Sequence, residues 1–150
     1  MAEALLNKHG NGRFRAFSAG SHPKAAPHPF ALERVAQLGF DPASFRSKSW
    51  DEFGTPDAPP MDMVITVCDS AAGESCPVWP GQPVTAHWSF PDPSETPGSD
   101  DDKRAAFQRV FIDIQRRIEL LANLPSSKLE HASLKHELSR IAADTPATAV

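Results

Sequence analysis

No stretch of this 150-residue chain stays apolar for the roughly 20 residues that a helix needs to cross a bilayer. Residues 1–30 also lack the apolar core of a secretory leader. Nor is there a basic excess: 15 Lys and Arg stand against 19 Asp and Glu, for a formal charge of -4. Neutralising a phosphate backbone needs a basic face, so the balance speaks against nucleic acid as a partner. Cysteine occurs only twice, which excludes a scaffold knitted by several disulfides. No internal repeat is visible. A cytoplasmic location, without membrane contact, is the expectation. In that reducing setting a cysteine pair is more often catalytic or metal-binding than a permanent crosslink.

What the chain does contain is an alternation of helix and strand signals. MAEALLNKHG reads as a helix closed by Gly10, with nothing to cap its start. Arg13 to Ser18 reads as a short strand running into a glycine turn, and FALERVAQLGF as a helix stopped by Gly39. One turn of helix is expected near Trp50. MDMVITVCD is the clearest strand: Met63 to Val67 is almost continuously apolar and β-branched, as in a parallel strand covered on both faces. VTAHWSF, 84–90, is a second strand leading into PDPSE. From Ser99 a long helix begins, with Asp100, Asp101 and Asp102 favoured by the helix dipole. Phe107, Val110, Phe111, Ile114, Ile118 and Leu121 then share one face. A last helix is expected from Ser126 to about Ala143, and 144–150 as a disordered tail. The order implies an α/β domain over 1–143 with a parallel sheet and right-handed crossovers, whose ligands bind beyond the carboxyl ends of the strands. SAG at 18–20, CDS at 68–70 and the FPDP loop all fall at such ends.

Cys68 closes the clearest strand and Cys76 follows after the small, polar segment SAAGES. Taken singly, each has a bland reading, a buried strand thiol or an inert loop thiol. A metal site would draw on Cys68, Cys76 and His87, but no close Cys-x2-Cys pair and no fourth ligand accompany them, so no metal or cofactor is expected. A redox pair needs a segment that lets one sulfur travel to the other, and SAAGES suits that. Asp92 lies between Pro91 and Pro93, either a plain Asp-Pro turn or a carboxyl on a stiffened loop able to donate a proton. Lys48, Arg13, Arg15, Arg116 and Arg117 read as solvated surface charges.

The ordered set SAG, PHP, SKSWDEF, DMVITVCD, CPVWPG, HWSFPDPS and FQRVFIDIQRRI resembles the arsenate reductases built on the low-molecular-weight protein tyrosine phosphatase fold. That resemblance implies a three-layer α/β topology in which a central first strand runs into a Cys-x5-Arg loop. The loop's amides cradle an oxyanion and its thiolate is the nucleophile. No Cys-x5-Arg occurs in this sequence. The first, central strand and loop are therefore expected to be missing, through a start codon placed too late rather than evolved loss, and the chain as given to be inactive. By resemblance, Cys68 matches the second cysteine of the relay, Cys76 the third, and Asp92 the acid. The implied partners are an arsenate or phosphate oxyanion and a reductant, thioredoxin or glutaredoxin with glutathione. A phosphatase of the same fold would need neither Cys68 nor Cys76, and a non-catalytic relative would need none of the three.

Overall fold

The longest amphipathic stripe of the sequence forms the longest helix. The computed structural model describes residues 1–67 and 78–148. Helices α1 (Ala2–His9), α2 (Pro29–Gln37), α3 (Asp100–Ala122) and α4 (His131–Asp144) accompany strands β1 (Met63–Thr66) and β2 (Val84–His87). The expected start of α3 is realised as a capping box. The Ser99 hydroxyl accepts from the Asp102 amide at 3.2 Å, and the Asp102 carboxylate accepts from the Ser99 amide at 2.8 Å. The Ser99 hydroxyl also donates to the Asp102 carboxylate at 2.7 Å, and this bond first, then that from the Ser99 amide, holds the Asp102 carboxyl below its ordinary pKa. Gly98 precedes the box at φ 106°, where a Cβ would come within 2.5 Å of an Asp102 carboxylate oxygen, so only glycine fits.

Val110, Phe111, Ile114, Ile118 and Leu121 of α3 meet Leu134, Leu138 and Ile141 of α4 and Leu5 of α1 in one buried core. Burial of such a face, at about 25 cal/mol per Å2, is the main force holding the helices to the sheet. α4 begins later than its pattern predicts. Ser126–Lys128 make a single 3-10 turn and the helix proper starts at His131, with no side-chain cap at Glu130. The pause lets Leu129 pack against the core.

β1 and β2 run parallel, Met63 opposite Val84 and Thr66 opposite His87. Beyond the ladder, Trp88 and Phe90 donate their amides to Thr66 and Val67 at 2.8 and 3.1 Å, so the second strand is shorter than expected but its continuation still follows the first. The strand expected over Arg13–Ser18 does not form. A strand exists only where a neighbour completes its ladder, and among the described residues no strand lies beside this segment. What remains is one isolated parallel bridge, Gly20 to Ser49. Residues 145–148 are tied to α3. The Arg117 guanidinium donates to the Thr145 carbonyl at 2.7 and 2.9 Å, and the Thr148 amide to Asp113 at 2.7 Å.

Glu137 is buried on α4, between Lys128 at 3.1 Å and Arg140 at 2.9 Å. Its carboxyl is held below its ordinary value of 4.5, chiefly by the Arg140 hydrogen bond and then by that from Lys128. A depressed folded-state pKa stabilises fully above the unfolded value, and the benefit is lost as pH falls through the folded one. Glu137→Gln should therefore lower the thermal midpoint at neutral pH and flatten its decline below pH 4.5. Parallel acid limbs in the two proteins would contradict this.

Candidate functional site

A cleft of about 440 Å3 opens where β1 ends. Thr66 and Val67 form one wall, Ser18 to His22 the opposite one, and Trp50, Phe53 and Trp79 the third. Backbone bonds explain the assembly. The Gly20 amide donates to the Lys48 carbonyl at 3.1 Å, and the Trp50 amide returns to Gly20 at 3.0 Å, which pins the SAG turn beside residues 48–50. Ser49 then caps the turn Trp50–Phe53 by accepting from the Asp51 amide. Phe17 and Phe53 meet at 5.4 Å, and Trp50 and Trp79 stand edge to face at 6.4 Å. The expected meeting of the SAG turn with the end of the clearest strand is therefore present.

Cys68 and Cys76 lie outside the described residues. Asp92 is exposed, and it is not among the residues lining this cleft. Its carboxylate accepts from the Ser94 amide at 2.9 Å and so caps the turn Pro93–Glu95. The segment leading to it is firmly held. The Trp88 indole donates to the Leu138 carbonyl at 3.0 Å, and the Arg117 guanidinium covers the Phe90 ring at 4.4 Å while donating to the Ser89 carbonyl at 3.3 Å. Arg117 is thus buried, not the surface charge its sequence position suggests, and desolvation lowers its pKa from the ordinary value. His87 is exposed and its Nδ1 lies 2.8 Å from the Thr66 hydroxyl.

Lys48 also departs from expectation. Its side chain is 9% exposed, and its ammonium sits 3.5 Å from Glu3 of α1. The same carboxylate accepts from the Ser18 hydroxyl at 2.5 Å. Glu3, Ser18 and Lys48 come from three segments far apart in the chain, so no local pattern announces the cluster. The chemistry of the described lining follows from these pairings. Among the described residues Glu3 and His22 are the only titratable groups on the cleft wall, and no guanidinium or ammonium lines it.

The family model for low molecular weight phosphotyrosine protein phosphatase matches residues 1–139. An arsenate reductase of Bacillus licheniformis is 34% identical over 122 residues, 81% of this chain and 84% of that protein. An arsenate reductase of Halalkalibacterium halodurans is 32% identical over the same shares of both chains. One from Bacillus subtilis is 30% identical, again over 81% and 84%.

The Glu3–Lys48 pair is sheltered enough for each charge to depend on the other. Lys48→Met should cost about 1–3 kcal/mol by leaving the carboxylate short of a partner. Adding Glu3→Gln should restore part of it. Denaturant titration of the single and double variants measures the coupling, and strict additivity would exclude an interacting pair.

Proposed function

The chain belongs to the low molecular weight phosphotyrosine protein phosphatase family, and we propose that its place there is with the arsenate reductases, Cys68 and Cys76 being the later stations of a thiol relay. The likeness to named arsenate reductases over most of both chains carries this reading. The presence of two cysteines, one two residues past the end of β1 in the sequence, agrees with it.

Reduction of arsenate to arsenite takes two electrons, and two thiols provide them by becoming a disulfide. A nucleophilic thiolate first bonds to arsenic with loss of water, and Asp92 gives the proton to the departing oxygen. Cys68 then attacks that sulfur. The sulfur–arsenic bond breaks, arsenite leaves with the electron pair, and a disulfide remains. Cys76 attacks the Cys68 sulfur, closes a Cys68–Cys76 disulfide and frees the first thiolate. A dithiol of the thioredoxin or glutaredoxin–glutathione type, as found in a cytoplasm, reduces the new disulfide.

The opening thiolate belongs to a Cys-x5-Arg loop, and residues 1–150 contain no such motif. The described cleft wall, without a guanidinium, offers no substitute for the arginine. Residues 1–150 alone are therefore inactive in this account. The family's own description favours a second reading, phosphomonoester hydrolysis, in which Asp92 serves and both cysteines are idle.

Mild oxidation of the purified chain should remove two hydrogens from its intact mass, and thioredoxin should restore them. Cys68→Ser and Cys76→Ser should each abolish the change. Failure of the two sulfurs to join within one chain would remove the relay. The unmodified chain should yield no arsenite; measurable turnover would overturn its inactivity. Joined to a β-strand and a Cys-x5-Arg loop ahead of Met1, it should form arsenite only with both cysteines intact. Aryl phosphate hydrolysis that survives both serine changes, without arsenite, would favour the phosphatase reading.

A further inference from the structure

Residues 145–148 are gripped at both ends by α3. Asp113 and Arg117, one turn apart on that helix, are only 5% and 3% exposed. The Arg117 guanidinium donates to the Thr145 carbonyl from two nitrogens and to the Thr145 hydroxyl at 3.2 Å. Asp113 accepts from the Thr148 amide at 2.7 Å and from the Thr148 hydroxyl at 3.2 Å. Taking two charges out of water is costly, and apolar side chains would fasten so short a segment without that cost.

The other contacts of the guanidinium supply a reason for it. Its remaining nitrogen donates to the Ser89 carbonyl at 3.3 Å, and its carbon lies 4.4 Å from the centre of the Phe90 ring. A planar fork of fixed donors can join two carbonyls on separate segments, which a lysine ammonium cannot do as rigidly. Little slack then separates Phe90 from the Asp92 carboxyl. Pro91 and Pro93 fix their own φ and restrict Phe90 and Asp92, which precede them. Pro93 is buried, and the turn Pro93–Glu95 packs against α3. The direction in which the chain leaves Phe90 is thereby carried to Asp92.

We propose, on the reading of Asp92 as the proton donor of the relay, that Arg117 is a positioning residue for its carboxyl and that Thr145–Thr148 is the strap holding the guanidinium in place. The strap shares in the proton transfer without touching the reacting atoms. Once it is released, Arg117 loses its anchor, the segment from Ser89 swings, and the carboxyl leaves its line with its own chemistry unchanged.

No turnover is needed to test this, so the strap stands or falls apart from the relay and from Asp92 as its acid. In the full chain, backbone nitrogen relaxation should give order parameters of about 0.85 at Ser89, Phe90 and Ser94. In Arg117→Met, and in a chain ending at Asp144, these should fall below about 0.6. The Phe90 amide, which donates to the Val67 carbonyl, should lose its protection against exchange in both. Asp102 in the capping box and Val35 of α2 should keep rigid values in the same samples. A merely structural role would lower the thermal midpoint and leave the contrast between these sites unchanged. Removing residues 145–150 spares the core side chains of α3 and α4, so that variant decides the matter if Arg117→Met does not fold. Order parameters at Ser89, Phe90 and Ser94 that stay level with those of Asp102 and Val35 in the shortened chain would overturn the proposal.

Discussion

The pairing of β1 along a single edge with β2 is the constraint on which the remaining structure depends. It turns Val64 and Thr66 toward β2, and among the described residues no strand pairs with the backbone of Met63 and Ile65. Every residue of β1 is half-buried despite the apolar sequence MVIT, and the following Val67 is 40% exposed. A parallel strand of that composition belongs in the interior of a sheet with both faces covered. Among the described residues, the two clefts beside β1 and the isolated Gly20–Ser49 bridge accompany a ladder of two strands.

What keeps the domain together is therefore helical. The α3 face packs against α4 and α1, and the continuation of β2 is fastened to this layer through Trp88 and Arg117. A buried guanidinium whose hydrogen bonds go to carbonyls and a hydroxyl joins the approach to Asp92 with the end of α4 and the segment after it. The Asp92 turn consequently rests on the layer formed by α3 and α4. The Ser18–His22 turn rests on Glu3, Lys48 and the bridge to Ser49.

Much of this was legible in the residues. The four helices and both strands carry their own periodicity, and the Ser99 cap and Gly39 stop mark their ends. Local signals failed where the deciding partner lies elsewhere in the chain. Arg13 to Ser18 has strand composition, yet composition cannot supply a neighbour. Lys48 and Arg117 read as surface charges because their partners, Glu3 for one and Thr145 and Ser89 for the other, are remote in sequence. Asp92 stands out in the sequence by its setting in FPDPS, and in the structure its carboxylate caps the turn Pro93–Glu95. The roles proposed for Cys68 and Cys76 rest on resemblance, and both residues lie outside the described ones.

The most direct measurement is amide hydrogen exchange, resolved by residue, across β1 of the isolated chain. The Thr66 amide, turned toward β2, should be protected, whereas that of Ile65, one position away in the same strand, should exchange at a rate near that of the exposed loops. Equal protection of the two would mean that both edges of β1 are paired, and the account of pairing along one edge would be wrong.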